Sequence, residues 1–365
     1  MRRAAFAVAA GAMAVSLAAC GSAKESGNKS SASSSPKKGD NIKVGLLLPE
    51  NTTARYEKFD RPLIEKKVKD LTNGKGEVVY ANAKQDATVQ NQQVETMITQ
   101  KVDVLIVDAV DYVAIKNSVQ KAHDAGIPVI AYDRLAQGPI SGYTSFDNAT
   151  VGKTQGQALL TALGSKAKSG KIVMMNGSIT DPNAAQFKQG ALSVLNGKVN
   201  IGKSYDTKDW NPVNANSNME AAISAVGKQN IVGVYSANDD MAGGIITALK
   251  AAGLNVPVTG QDAALTGVQR IVAGTQYMSV YKPYPTEANA VAEMAVDAAQ
   301  GKPLSSVATG TVDSPTNKGI PAKIIPVYSL TKDNIKDTVI KDGIYTVSDI
   351  CTAQYKADCD KIGLK

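Results

Sequence analysis

"VDVLIVDAVDYVAIKNSVQKAHDAGIPVIAYDR", residues 102–134, decides the fold. Residues 102–108 and 127–133 are short apolar runs, rich in Val and Ile, and each ends in an aspartate. Between them residues 112–125 read as a helix that stops at Gly126. Strand, helix, strand is a βαβ unit, which sets two strands parallel through a right-handed crossover. The stretch also places an acid and a base together, Asp133-Arg134, where a buried strand ends.

The same rhythm continues on both sides. Upstream, "IKVGLLLP" reads as a buried strand, 54–72 as a helix ending at Asn73-Gly74, "EVVYA" as a strand and 88–100 as a helix. Downstream, helices are expected over 149–166, 183–196, 212–227, 240–252 and 264–273. They alternate with the strands "KIVMMNG", "VNIGKSY", "IVGVYSAND", "VPVTGQD" and "QYMSVYK". A chain of 365 residues is long for one core, and these strands are too many for one compact sheet. The expected fold is therefore α/β, with two doubly wound parallel-sheet lobes and the first break near Phe146-Asp147.

Hydrophobic residues make up 43% and charged residues 20%, the composition of a soluble globular body. Of the net charge of +7, four units lie within residues 1–40, so the body carries no nucleic-acid footprint. Residues 1–19 have a basic start and an apolar stretch short of a bilayer span, and read as an export signal. Its end, "LAACG", resembles a bacterial lipobox. That resemblance implies cleavage before Cys20 and lipidation of its thiol. Residues 20–40, rich in Ser, Gly and Lys, read as a flexible tether with an r.m.s. span of roughly 25 Å.

The other cysteines, Cys351 and Cys359, close the short loop "CTAQYKADC", and outside the cytoplasm a structural disulfide is expected. No metal site or cofactor is expected: there is one histidine, no cysteine pair at CxxC spacing, no GxxxxGK[ST] and no GxGxxG after a strand. The lone histidine, His123, sits in the last turn before Gly126, where it serves a helix end. No nucleophile accompanies it, so enzyme chemistry is not expected.

Polar residues gather just after the strands: Pro49-Glu50, Asp133-Arg134, Asp181-Pro182-Asn183, Asn238-Asp239, Gln261-Asp262 and Lys282-Pro283. Open α/β sheets bind ligands at the carboxyl ends of their strands, so these groups point to one crevice. Arg55, Arg134 and Lys282 against Asp133, Asp181 and Asp262 make three charges of each sign. A balanced set suits a neutral, polyhydroxylated ligand. Trp210, the one tryptophan, lies in a polar loop and offers a flat plate for the C–H face of a sugar. Asp239 and Asp147 read as helix caps.

The stretches "VIAYDR", "YTSFDNATVG", "SANDDMAGG", "VTGQDAALTGVQRIVAGTQYMSVYKP" and "NIKDTVIKDG" resemble the type I periplasmic sugar-binding proteins. Among these the resemblance is greatest to the D-xylose-binding proteins of bacterial ABC importers, and it spans Asn41 to about Gly343. It implies that Arg55, Asp133, Arg134, Asn183, Trp210, Asn238, Asp262 and Lys282 contact a monosaccharide, with Asp181 beside them. It implies a stacking role for position 56, where the family pattern has tryptophan and this chain has Tyr56.

The resemblance further implies a three-crossing hinge near Phe146, near Lys282 and within 308–322. Lobe 1 would be 41–145 plus 282–310, and lobe 2 146–281 plus 311–365. The expected protein is a monomer held by its lipid outside the cytoplasm. It would trap D-xylose between closing lobes and deliver it to a permease and its ATPase. The alternative is a sensing subunit for a kinase or chemoreceptor, with glucose, arabinose, ribose or galactose as ligand.

Overall fold

Val104–Val107 and Val129–Tyr132, the two strands of the 102–134 unit, are buried on both faces. That is the condition of strands at the centre of a parallel sheet. The computed structural model describes residues 39–365. The export signal, Cys20 and the tether as far as residue 38 lie outside the described residues.

The first half runs β1 (Lys43–Leu48), α1 (Arg61–Leu71), β2 (Glu77–Asn82), α2 (Ala87–Thr99), β3 (Val104–Val107), α3 (Lys116–Asp124), β4 (Val129–Tyr132) and β5 (Gly142–Phe146). The chain continues α4 (Asn148–Leu163), β6 (Lys171–Asn176), α5 (Pro182–Leu195), β7 (Asn200–Asp206), α6 (Pro212–Val226), β8 (Ile231–Ser236), α7 (Asp239–Ala251) and α8 (Leu265–Val272). Then follow β9 (Ser279–Tyr281), α9 (Tyr284–Ala299), β10 (Gly310–Val312), β11 (Ile320–Ile325), β12 (Tyr328–Leu330), α10 (Val347–Ile350) and α11 (Lys356–Lys361).

The first sheet has the order β10-β11-β5-β4-β3-β1-β2, parallel except for β10. Its alternating residues feed two cores. Leu105 and Val107 pack with Val94 of α2 and Val119 of α3, while Val104 and Ile106 pack with Ile64 of α1 and Val291 of α9. The second sheet is β7-β6-β8, all parallel, buried against α4 to α7 in a separate core.

Four expectations change. The third crossing is at 326–327, not within 308–322, because β11 pairs parallel with β5 and only β12 returns to β9. Residues 310–325 thus belong to the first sheet rather than to lobe 2. "VPVTGQD" is no full strand. Its residues bridge irregularly between Val234 and the 277–280 stretch, and the backbone leaves extended geometry at Asp262 (φ 89°) and Ala263 (φ 48°). α3 starts only at Lys116, because the Asp111 carboxylate accepts from Val113 and Ala114 N–H and holds a turn first. Tyr56–Asp60 is a π turn ahead of α1, so the first helix begins unwound.

The end of the chain covers α8. Ile350, Cys359 and Leu364 share a core with Val268 and Ile271, and Gln269 Nε2 donates to the Asp349 carbonyl at 3.2 Å. Cys351 and Cys359 are joined by a disulfide, with Cα atoms 5.9 Å apart. Among the described residues no helix is long and apolar enough to cross a membrane.

Candidate functional site

All ten expected ligand-contacting residues line one cavity: Arg55, Tyr56, Asp133, Arg134, Asp181, Asn183, Trp210, Asn238, Asp262 and Lys282. Thr53, Phe187 and Gln261 complete its wall. The cavity lies where strands of both sheets end, as parallel α/β folds dictate.

Asp133 ends β4 in the left-handed region, φ 55°, which aspartate tolerates better than most residues. Its carbonyl is held by the Tyr143 hydroxyl (2.9 Å), Ser145 Oγ (2.7 Å) and Asn183 Nδ2 (3.1 Å). The turn sends neighbouring side chains to different partners, so Asp133 and Arg134 do not neutralise each other as paired neighbours. The Asp133 carboxylate faces Arg55 Nη1 at 3.6 Å and accepts from the Tyr56 hydroxyl at 3.3 Å. Arg134 Nε pairs with Asp181 at 3.0 Å and Asp108 at 3.4 Å, and its Nη1 donates to the Ala109 carbonyl at 3.0 Å. Tyr56 Oη also accepts from Arg134 Nη2 at 3.2 Å and so ties the two charges together.

Arg55 donates to Asp60 (2.8 Å) and Glu287 (2.6 Å) while its guanidinium lies 4.8 Å from the Tyr284 ring centre and 5.5 Å from that of Phe146. Lys282 Nζ sits 3.2 Å from Asp262 Oδ1. Asp181 caps α5 through Asn183 N–H and Asn238 caps α7 through Met241 N–H. The Asn183 amide is engaged at both ends, donating to Asp133 and accepting from Asn148 Nδ2 at 2.9 Å. Asp147 caps α4, as expected. Asp239 does not cap. It is fully buried and accepts from Ser279 Oγ, Gln276 Nε2 and Ala264 N–H, which pins the 262–264 loop to β9.

Trp210 is only 6% exposed and packs edge-on against Phe187, ring centres 6.3 Å apart. Asp209 (φ 59°) and Trp210 (φ 56°) are both left-handed, a strained pair that aims the indole. Gly177 makes room for it, since a Cβ there would fall 2.1 Å from indole carbons.

The expected balance of three charges against three is overturned. Asp60, Asp108 and Glu287, each wholly buried, join Asp133, Asp181 and Asp262 around the three cations. Asp108 had a signal, since it ends "VLIVD" as Asp133 ends "VIAYD". Asp60 and Glu287 sit in helical turns with no local mark. Burial drives Glu287 and Asp108 well above the usual carboxyl range, against the pull of Arg55 and Arg134 respectively. Burial raises Asp133 too, but Arg55, Lys282 and Arg134 outweigh it and hold it below that range. The deeper acids therefore hold their protons more readily than Asp133, which is kept an acceptor by the surrounding cations.

This has a pH consequence. Burial lifts Asp60 to about 6 against Arg55, and Asp239 to about 7 against Arg270. Unfolded aspartates ionise near ~4, so the folded chain binds these protons more tightly. Their stabilisation is complete below that value and is lost as pH rises through 6 and 7. The melting temperature without ligand is therefore expected to fall from pH 5 to pH 8, with a shallower slope in Asp239→Asn. A melting temperature that climbs across that window contradicts this account. Among the described residues no group of three or more His, Cys, Asp and Glu is placed to hold a metal ion.

Residues 44–303 match the profile of the periplasmic binding protein domain. Over 320 residues the chain is 38% identical to the D-xylose-binding periplasmic protein of Escherichia coli K12, covering 85% of this chain and 92% of that one. It is 33% identical to a multiple sugar-binding periplasmic protein of Azospirillum brasilense, covering 84% and 90%. Among solved structures, an ABC transporter solute-binding protein from Clostridium phytofermentans with bound β-D-glucose superposes with a TM-score of 0.77. Its identity is 28%, over 84% of this chain and 99% of that one.

Proposed function

The chain belongs to the periplasmic binding protein family, with the type I fold, and from that premise we propose that it captures a neutral aldopyranose, D-xylose first and D-glucose second, for import. Its relatives are binding proteins, and its own cavity is built to hold rather than to react. The observation that carries the reading is the wall itself: planar donors and acceptors, Arg55, Asp133, Asn238 and Asp262, share one cavity with the packed Trp210 and Phe187 rings. Such a set matches a ring with hydroxyls at its edge and C–H groups on its face. The surplus of buried carboxyls disfavours phosphorylated or acidic sugars.

Ligand would be held by closure of the two lobes, each supplying part of the wall. Bonds across the cleft support this: Arg134 to Asp181, Asn183 to Asp133, Gln85 Nε2 to the Asp209 carbonyl at 3.0 Å, and Tyr112 N–H to the Thr180 carbonyl at 3.2 Å. Binding of about ten heavy atoms at micromolar strength asks roughly −0.8 kcal/mol per atom, within what very small ligands reach. In this reading Cys20 carries the lipid that keeps the protein at the outer face of the membrane, and an ABC permease with its ATPase receives the sugar.

The test is titration of the purified body with D-xylose, D-glucose, L-arabinose, D-ribose and D-galactose, followed by the fluorescence of Trp210. Micromolar saturation by xylose or glucose is expected. Silence towards all five, in fluorescence and in melting temperature, ends the proposal.

A further inference from the structure

Gln261 lies outside the set read from the resemblance, yet it lines the cavity and is 2% exposed. Its Oε1 is buried without a hydrogen-bond partner. Its backbone carbonyl accepts from Asp239 N–H at 3.0 Å. A buried amide oxygen with nothing to accept is costly to keep, and such a group in a binding wall is satisfied when ligand arrives. We infer that Gln261 is a specificity-determining residue that accepts a hydrogen bond from one ring hydroxyl of the bound sugar.

Its neighbours define what that hydroxyl must be. Asp262 Oδ1 follows directly, without a hydrogen-bond partner although Lys282 lies within ion-pair reach. Across the wall, Trp210 Nε1 is a buried donor without a partner. Asn238 has its Oδ1 engaged by Met241, so its amide nitrogen is the end left for ligand. The second-lobe wall therefore presents two acceptors, Gln261 and Asp262, and two donors, Trp210 and Asn238. Adjacent hydroxyls, each donating one proton and accepting others, fit that alternation. A ring lacking the hydroxyl opposite Gln261 leaves the amide as unmatched as in the empty site, and a site built to bond a hydroxyl discriminates strongly against its absence. The ligand class is thus narrowed to aldopyranoses with vicinal free hydroxyls along this edge. Ring-deoxy sugars are rejected at one position.

The inference rests on the sugar reading above, and its test separates the two. D-xylose and D-glucose, with their 2-, 3- and 4-deoxy analogues, are titrated calorimetrically into the wild-type chain, Gln261→Leu and Gln261→Glu. Melting curves confirm folding, and the near-isosteric Gln261→Glu serves if the leucine variant fails to fold. For the parent sugars Gln261→Leu is expected to weaken binding by roughly tenfold to a hundredfold. One deoxy analogue, already weak in the wild type, is expected to lose no more in the variant, because partner and hydroxyl are removed together. In Gln261→Glu the acceptor persists, so the wild-type order of the analogues is expected to persist too. Unchanged affinity in Gln261→Leu, or a uniform loss over every analogue, overturns the inference while leaving sugar binding in place. If the wild-type chain binds neither parent sugar, the inference and the reading beneath it fall together.

Discussion

Arg134→Ala is expected to lower sugar affinity at least about a thousandfold and to destabilise the protein as well. Arg134 is 3% exposed and is the ion-pair partner of two buried acids, Asp181 from the second sheet's loops and Asp108 from the first. Removing one partner of a buried pair typically costs ~3–5 kcal/mol, because a charge is left uncompensated. Here the acids have a way out. Burial already pushes Asp108 well above the usual carboxyl range and raises Asp181, and losing the guanidinium moves both further. Because both are already pushed towards the protonated form, lowering the pH lets them shed the unpaired charge at less cost. The stability loss in Arg134→Ala should therefore be smaller at pH 5 than at pH 8, and differential scanning calorimetry at both values reads the difference. Binding is not rescued by acid, because the donors to the ligand and to the Ala109 carbonyl are gone. Wild-type affinity in this variant would remove Arg134 from the site.

Gly177→Ala is expected to weaken binding about tenfold to a hundredfold although residue 177 lies outside the cavity wall. A Cβ at this position meets Cη2 and Cζ2 of Trp210 at 2.1 Å, so the indole must swing. Overpacking of this kind costs ~1–3 kcal/mol, and here the strain falls on an indole that both lines the cavity and belongs to the second sheet's core. The Trp210 backbone is already held left-handed together with Asp209, which leaves the ring few compensating moves. The loss should appear in affinity and in the emission spectrum of Trp210, with a modest change in melting temperature. Trp210→Phe in the Gly177→Ala background removes the clash and is expected to recover part of the melting temperature but not the affinity. An unaltered spectrum and affinity in Gly177→Ala would mean that the ring is not the plate described.

Much of this was open to inspection in the chain itself. The strand "VLIV" followed by Asp108 and the strand "VIAY" followed by Asp133 state where buried β structure stops and polar chemistry starts. The ten residues read in this way, or through resemblance, do surround one cavity. Apolar period and strand-end position are local properties, carried by residues a few places apart. That is why the α/β class, the helices and the general place of the site could be read without coordinates.

What needed the tertiary structure is non-local. Glu287 lies 232 residues from Arg55 and touches it only because α9 packs against β3, β4 and β5 and beside α1. β11 joins the first sheet beside β5 through a pairing that no turn or period announces. Asp133 and Arg134 are neighbours in sequence, yet the left-handed turn at Asp133 gives each a different partner. The sequence by itself determined which residue types stand at the ends of the strands. Only the fold decided which of their charges are paired, which are protonated and which atoms are left for a ligand, because Coulomb energy and desolvation depend on distances and burial that the chain acquires when it closes on itself.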